Sequence, residues 1–269
     1  MTGTTNSIVS RQPGDGLFAV TRPVSPSIAA CELTHVQRSV IDVNVARAQH
    51  SDYENLLETL GCALVRVPGA DDLPDSVFVE DTAIVLDELA IVAHPGAASR
   101  RGELAAVAEI LGRFRSLVWI QSPGTLDGGD VFVAGKEIFV GRSARTNDAG
   151  IEQLRAIVAP FRYAVHVIDV RKCLHLKTAV SPVSEDTLLI HPQWVDGARF
   201  PAFRILEIDA SEPFAANALR VGDAVVHAAE FPRTGERLSS QGIDVVTVPA
   251  SELAKAEGGV TCCSILFEP

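Results

Sequence analysis

The sequence lacks several features that would place it in a broad class of protein. Its polar start, MTGTTNSIVSRQPGDG, has neither the basic residues nor the apolar core of a secretory signal, and no apolar stretch approaches the length that spans a bilayer. No segment rich in proline, glycine or serine separates two compositionally different parts. We therefore expect a single domain over residues 1–269, a cytoplasmic location and no membrane partner.

Cysteine is also scarce, and its pattern excludes common structural uses. The chain has an odd number of cysteines, five, which fits reduced thiols better than a disulfide framework. Adjacent Cys262 and Cys263 lack the C-x-x-C spacing of structural zinc, no H-E-x-x-H occurs, and neither glycine-rich phosphate-binding motif is present. We expect no cofactor and no required metal.

The charge balance excludes another class of partner. The chain carries 23 Lys and Arg residues against 34 Asp and Glu residues, a net charge of −11 at pH 7. Such a surface repels a phosphate backbone, so we expect no nucleic acid partner. An acidic protein suits a cationic small molecule, and a hydrophobic content of 47% supports a large buried core.

A repeated order of elements runs along the chain. DTAIVLDELAIVAHP predicts a hairpin around Asp87 and Glu88, SRRGELAAVAEILGRF predicts a helix capped by Ser99, and SLVWIQ predicts a strand. The order recurs from DVFVAGKEIFVGRS, with its turn near Gly135, from LKTAVSPVSEDTLLIHP and from LRVGDAVVHAAE. A unit of roughly 40 to 50 residues that repeats several times indicates a closed or stacked array.

The two ends of the chain together supply a fifth unit. GGVTCCSILF has no helix after it, whereas the N-terminal part offers a strand near LFAVTRP, a helix leading into SDYENLLETLG and the strand CALVRVP. Ser51 and Glu54 have capping-box spacing, which predicts a break or new cap in that helix. The simplest architecture is an α/β ring of five strand-strand-helix-strand units around a central hole.

If the first strand of each unit lines the hole, chemically active residues converge there. One of the two adjacent cysteines should face the hole, because neighbouring residues on a strand point to opposite faces. A thiol, an imidazole and carboxylates form a nucleophile, a proton shuttle and a cation site. Alone, each thiol could be a core residue and LDGGD a simple turn, so their joint placement carries the prediction. The converging set is Asp75, Glu80, Asp81, Asp127, Asp130, His175 and Cys262 or Cys263.

Taken together, LPDSVFVEDTAIV, HPGAASRRGE, LDGGDVFVAGKEIFVGRSARTN, LHLKT and GGVTCCS resemble the dimethylarginine dimethylaminohydrolase family of guanidino-group-modifying enzymes. The resemblance runs from about residue 74 to the C-terminus, with its longest block at 125–147. It implies a pseudo-fivefold α/β propeller, or pentein, of five ββαβ units around a central active-site channel. It also implies hydrolysis of asymmetric dimethylarginine and monomethylarginine to L-citrulline and a methylamine, through a covalent S-alkylthiouronium on cysteine.

The resemblance further implies a role for each site residue. Cys262 falls on the nucleophile, His175 on the acid and base, and Asp127 on the carboxylate beside that histidine. The implied substrate-binding residues are Asp81 and Glu80 for the guanidinium, Asp75 for the α-amino group, and Arg100 and Arg145 for the α-carboxylate. Arg101 is an open substitute for Arg100, because the alignment of SRR is ambiguous.

Two other functions stay open at this point. Arginine deiminases carry an aspartate two residues after this histidine, where this chain has Lys177, so a methylarginine site is favoured over an arginine site. Arg100 and Arg145 favour a substrate with a free α-carboxylate, which agmatine lacks. A fivefold binding protein, as in the ribosome-associated initiation factor that shares the fold, would not need a cysteine, a histidine and carboxylates to meet. The sequence does not predict an oligomeric state.

Overall fold

The computed structural model describes residues 16–268, and in them the strands form five three-stranded sheets. Residues 1–15, which carry most of the polar start, and residue 269 lie outside the described residues. The strands are β1 (Phe18–Thr21), β2 (Ala63–Arg66), β3 (Ala83–Val85), β4 (Ala90–Val92), β5 (Leu117–Trp119), β6 (Val131–Ala134), β7 (Glu137–Arg142), β8 (Ala164–Asp169), β9 (Val180–Pro182), β10 (Thr187–Ile190), β11 (Arg204–Glu207), β12 (Ala218–Val221), β13 (Ala224–Ala228), β14 (Asp244–Val248) and β15 (Ile265–Phe267).

Every sheet has the same construction. An antiparallel pair is followed by a third strand that runs parallel to the second, as in β3, β4 and β5. The fifth sheet joins distant parts of the chain, because β15 pairs antiparallel with β1, and β1 pairs parallel with β2. Ile265 lies opposite Val20 in this closing pair. The predicted five-unit ring is confirmed.

In the described part of the chain, the helices are α1 (Val43–Thr59), α2 (Leu104–Leu111), α3 (Asp148–Val158), α4 (Leu176–Ala179), α5 (Pro232–Ser240) and α6 (Ser251–Lys255). Four of these helices connect the second strand of a unit to its third strand. The other two, α4 and α6, are short and lie next to residues of the site. The predicted apolar face of α2 is buried, with Leu104, Val107, Ile110 and Leu111 each under 9% exposed. Among the described residues, no helix is both long and apolar enough to cross a bilayer, and a cytoplasmic location stays a prediction.

Two predicted helix starts are wrong. The helical segment before α2 begins at Ala98 as a 3-10 turn, and the Ser99 hydroxyl donates to Glu32 instead of capping the helix. Helix α1 runs unbroken through Ser51, because its cap is Asp42, whose side chain accepts from two backbone N–H groups. Glu54 does not reach back to Ser51, since its carboxylate binds Thr21 and Arg66.

The site-bearing motifs lie in short turns, each directly before the first strand of a sheet. A 3-10 turn at Val79–Thr82 precedes β3, another at Gly128–Asp130 precedes β6, and α4 precedes β9. Cys262 and Cys263 occupy a turn before β15, in which the Cys262 N–H donates to the Gly259 carbonyl at 3.2 Å. The prediction that these cysteines lie on a strand is therefore wrong.

Candidate active site

A small cavity of about 10 Å³ brings together six of the eight predicted site residues. Glu32 and Glu257 also line it, and their segments are in contact, because the Thr34 and His35 N–H groups donate to Glu257. The six predicted residues come from four units of the ring, so the fold rather than local sequence assembles them. They are Asp75, Asp81, Arg100, Arg145, His175 and Cys262.

His175 stands at the start of α4 and is held between two carboxylates. Its Nε2 donates to Asp127 Oδ2 at 3.1 Å, and its Nδ1 lies 3.5 Å from Asp81 Oδ1. Burial alone would lower the pKa of His175, but Asp81, Asp127 and Asp130 outweigh it and raise the pKa to about 9. The imidazole is therefore protonated at neutral pH and can act as a general acid.

Asp127 is fixed from several sides and does not line the small cavity itself. Its Oδ1 accepts the Gly96 N–H at 2.9 Å, and its own N–H donates to Thr146 Oγ1 at 3.1 Å. Arg145 Nη1 lies 3.6 Å from Asp127 Oδ2. A fully buried carboxylate with these partners can hold the imidazole of His175 in one orientation through its Nε2 atom.

Asp81 supplies a permanent negative charge in the cavity. Its Oδ1 accepts the Gly129 N–H at 3.0 Å, and its Oδ2 pairs with Arg100. Burial alone would raise the pKa of Asp81, but His175 and Arg100 lower it to about 2. An ionised carboxylate beside the histidine can hold a guanidinium.

Arg100, rather than Arg101, reaches the cavity. It is buried and pairs with Glu103 through two N–H groups, Nε to Oε1 at 3.0 Å and Nη2 to Oε2 at 2.7 Å. Its Nη2 also donates to the Phe78 carbonyl at 3.0 Å. Because Asp81 takes Nη1, most of its donors are already used by the protein, and its contact with a carboxylate ligand stays a prediction.

Arg145 and Asp75 face the segment that follows β1. Arg145 Nη2 donates to Thr34 Oγ1 at 3.4 Å, and both Asp75 oxygens accept the Glu32 N–H, at 3.1 and 3.3 Å. These two side chains are the predicted holders of an α-carboxylate and an α-amino group. Their present partners are polar groups that such a ligand could replace, and the roles stay predictions.

Glu80 points away from the small cavity. Its Oε1 pairs with Lys177 Nζ at 2.6 Å, and its Oε2 accepts from Thr261 Oγ1 at 2.8 Å. With both partners it lines a separate cavity of about 610 Å³ among the first strands of the sheets. Consecutive residues of a 3-10 turn project about 120° apart, which separates Glu80 from Asp81. Glu80 therefore does not lie where it could contact a guanidinium bound beside Cys262.

The two cysteines have different surroundings. Cys263 is 1% exposed within a hydrophobic cluster, and its Sγ donates to the Gly259 carbonyl at 3.6 Å. Cys262 is half-buried, lines the cavity, and its Sγ accepts the Gly259 N–H at 3.3 Å. Burial and the nearby Glu80 and Asp81 raise the pKa of Cys262 to about 12. The free site therefore holds a protonated thiol.

Asn217 is a site residue that the sequence analysis missed. It directly precedes β12, the place that the site residues occupy in the other units. Its Nδ2 donates to the Lys177 carbonyl at 3.1 Å and to Thr261 Oγ1 at 2.9 Å, while its Oδ1 accepts the Thr261 N–H at 3.0 Å. Asn217 thus ties the turn that carries His175 to the turn that carries Cys262.

Three described residues offer ligand atoms close enough to share a metal ion. The donor atoms of Asp81, Asp127 and His175 lie within 4.8 Å of one another. The guanidinium groups of Arg100 and Arg145 lie against the two carboxylates and would repel a divalent cation. The absence of a required metal stays a prediction.

Comparisons with known proteins match most of the chain. A family model described as arginine deiminase matches residues 32–218. The dimethylarginine dimethylaminohydrolase of Streptomyces coelicolor is 40% identical over 250 residues, which cover 92% of this chain and 95% of that protein. The enzyme of the same name from Pseudomonas aeruginosa is 37% identical over 228 residues, 84% of this chain and 90% of that protein.

Solved structures agree with these matches. A cysteine-to-serine mutant of the Pseudomonas aeruginosa enzyme, complexed with citrulline, superposes with a TM-score of 0.90 and 34% identity, covering 94% of this chain and 100% of that one. The N-terminal domain of a cyanobacterial arginine dihydrolase has a TM-score of 0.85 at 19% identity, covers 95% of this chain and 99% of that one, and shares the fold. The chain belongs to the dimethylarginine dimethylaminohydrolase family and is a hydrolase that acts on the carbon–nitrogen bonds of amidines.

Proposed function

We propose that this protein hydrolyses N-omega-methylated L-arginines to L-citrulline and dimethylamine or methylamine. One observation carries the proposal: Cys262 and the protonated His175 line one cavity together with both signs of charge, in Asp75, Asp81 and Arg145. A methylarginine has the complementary cation, α-amino group and α-carboxylate. The names of the relatives and the citrulline bound to one neighbour support the same substrate class.

In the first half of the reaction, Cys262 must act as a thiolate, since the thiol is a poor nucleophile. A bound guanidinium beside the sulfur favours the charged form and commonly lowers such a pKa by about 1 to 3 units. The thiolate adds to the guanidinium carbon and forms a C–S bond. His175 donates its proton to the substituted nitrogen, the C–N bond breaks, and an S-alkylthiouronium remains on Cys262.

In the second half, the now neutral His175 removes a proton from water. The hydroxide adds to the same carbon, and collapse of the adduct breaks the C–S bond. The hydroxyl proton of the adduct passes to the departing sulfur, which releases citrulline and restores the Cys262 thiol of the free site. Asp127 keeps the imidazole oriented during both proton transfers, and Asp81 holds the positive charge of substrate and intermediate.

Lys177 bears on the choice between arginine and its methylated forms. Its ammonium binds Glu80 and lines the separate cavity, so neither side chain offers an acceptor beside Cys262. A methylated guanidinium has fewer N–H groups to satisfy than arginine has. A site with fewer acceptors therefore suits the methylated substrate.

The test is an assay of the ureido product with asymmetric dimethylarginine, monomethylarginine, arginine and agmatine side by side. We expect both methylated arginines to react with a higher kcat/KM than arginine, and agmatine, which lacks the carboxylate, to react least. A clear preference for arginine would instead assign a deiminase activity. No turnover of any of the four would refute the proposal.

Replacing Arg145 with alanine should weaken the use of dimethylarginine. A bidentate contact between arginine and a carboxylate in a partly desolvated pocket contributes roughly 1.5 to 3 kcal/mol, which predicts a tenfold to hundredfold fall in kcat/KM. The fall in kcat/KM is measured by steady-state kinetics with dimethylarginine and with agmatine, which lacks the carboxylate. The exposed Arg101→Ala variant is the matched control and should change little. Equal losses for both substrates would show that Arg145 acts through Asp127 and not on the carboxylate.

Replacing Asn217 with alanine should lower kcat more than it changes KM. The change removes three hydrogen bonds that hold the Cys262 turn against the His175 turn, each worth about 0.5 to 1.5 kcal/mol. We expect kcat to fall about tenfold or more while KM stays within about threefold. Asn55→Ala, on the exposed face of α1, is the control. A loss of thermal stability with an unchanged kcat would assign Asn217 a purely structural role.

A further inference from the structure

A second cavity beside Cys262 has no part in the mechanism above. Its volume is about 380 Å³, and its walls are mainly apolar, including Cys173, Phe214, Ala228, Phe231 and Val260. Three charged residues also line it: Glu230, Lys255 and Glu257. It shares four lining residues with the small cavity: Leu174, Glu257, Gly258 and Cys262. The two spaces therefore meet at the reactive sulfur.

The chemistry directs one part of the substrate toward this second cavity. The guanidinium carbon bonds to Sγ of Cys262, and the leaving nitrogen, one bond further on, must come close to His175 to receive its proton. Leu174, next to His175 in sequence, lines both cavities, whereas His175 lines only the small one. A substituent on the leaving nitrogen thus extends past Leu174 into the apolar space.

The size of the cavity exceeds what the methyl groups of a methylated arginine need. At about 30 Å³ for each water-sized atom, 380 Å³ holds on the order of ten such atoms. A dimethylamino group supplies only two carbons beyond the nitrogen. Most of the wall is apolar and can therefore bury an uncharged alkyl chain.

We propose, resting on the function proposed above, that this cavity is a substituent pocket for N-omega-alkyl-L-arginines with an unbranched chain of about three to five carbons, which would fill roughly half of it or less. The reaction is the same hydrolysis. The C–N bond to the alkylamine breaks, His175 protonates that nitrogen, and water supplies the citrulline oxygen.

The experiment compares dimethylarginine with a series of N-omega-alkyl-L-arginines, from propyl to octyl, on the unmodified protein. We expect kcat/KM for the propyl and butyl compounds within about tenfold of the value for dimethylarginine, and a steep fall once the chain outgrows the pocket. One methylene in an apolar pocket changes discrimination by about 10-fold to 200-fold. Turnover of dimethylarginine without turnover of butylarginine would overturn the pocket and leave the proposed function intact, whereas failure of both would refute the function.

A pair of variants locates the alkyl chain. Ala254, on α6, lines the pocket and is exposed, so a larger side chain there can narrow the pocket without overpacking the core. Ala254→Phe should lower kcat/KM for butylarginine at least tenfold and that for dimethylarginine less than threefold. Ala156→Phe, at an exposed position on α3 outside the pocket, should affect neither. Equal losses for both substrates in Ala254→Phe, or no loss for butylarginine, would overturn the proposal.

Discussion

Cys262→Ser should abolish turnover of dimethylarginine, whereas Cys263→Ser should retain most of it. Cys262 lines the cavity with His175, while Cys263 is buried among apolar side chains. Removal of a nucleophile commonly costs several orders of magnitude in kcat, so we expect a loss of at least about 10⁴-fold for Cys262→Ser. Citrulline formation by equal amounts of folded protein measures it.

The Cys263→Ser variant is the matched control for that experiment. Its hydroxyl replaces a thiol in a hydrophobic cluster, so we expect a lower Tm with kcat within a few-fold of the unmodified protein. Activity that survives in the Cys262 variant and disappears in the Cys263 variant would reverse the assignment of the nucleophile.

His175→Asn should separate binding from catalysis. Asparagine cannot protonate the departing amine, and general acid and base catalysis contributes about 10² to 10⁴-fold, so kcat should fall by that range. The charge contacts of the substrate with Asp81 remain, and its Kd, measured by calorimetry, should change only a few-fold. A normal kcat in this variant would contradict the role of His175.

The pH profile adds a second readout for the same variant. The proposed mechanism needs the Cys262 thiolate and the His175 imidazolium, and the pKa values of these groups in the free protein are about 12 and about 9. Below pH 9 the thiolate fraction grows with pH, whereas above pH 9 the loss of the imidazolium cancels that gain. Thus kcat/KM should rise with pH and level off near 9. In His175→Asn the residual activity should keep rising through pH 9.

The ring could be predicted from the sequence because its repeats are regular. Hairpins with clear turn residues, such as Gly135 with its φ of +59°, recur at similar spacing, and the order of elements requires the closing pair of β15 and β1. The sequence could not reveal that no helix starts at Ser99 or Ser51, since the Ser99 hydroxyl and the Glu54 carboxylate bind partners distant in sequence.

The site was predictable in its members more than in its geometry. The prediction that Cys262 and Cys263 face opposite ways treated GGVTCC as a strand. A turn also directs two neighbouring side chains apart, so the sequence pattern could not distinguish a strand from a turn. The direction of Glu80 depends on the Lys177 ammonium in another unit. Asn217 carries no charge and lies outside the motifs that carry the family resemblance, so only its place before β12 could have indicated it.

The pairing of β15 with β1 has a consequence for the synthesis of the protein. Cys262 leaves the ribosome after every other residue that lines the small cavity, and it lies in the turn directly before β15, which pairs with a strand made about 250 residues earlier. A nascent chain therefore contains His175 and the cavity carboxylates before Cys262 is in place. Under the proposed mechanism, turnover requires a closed ring.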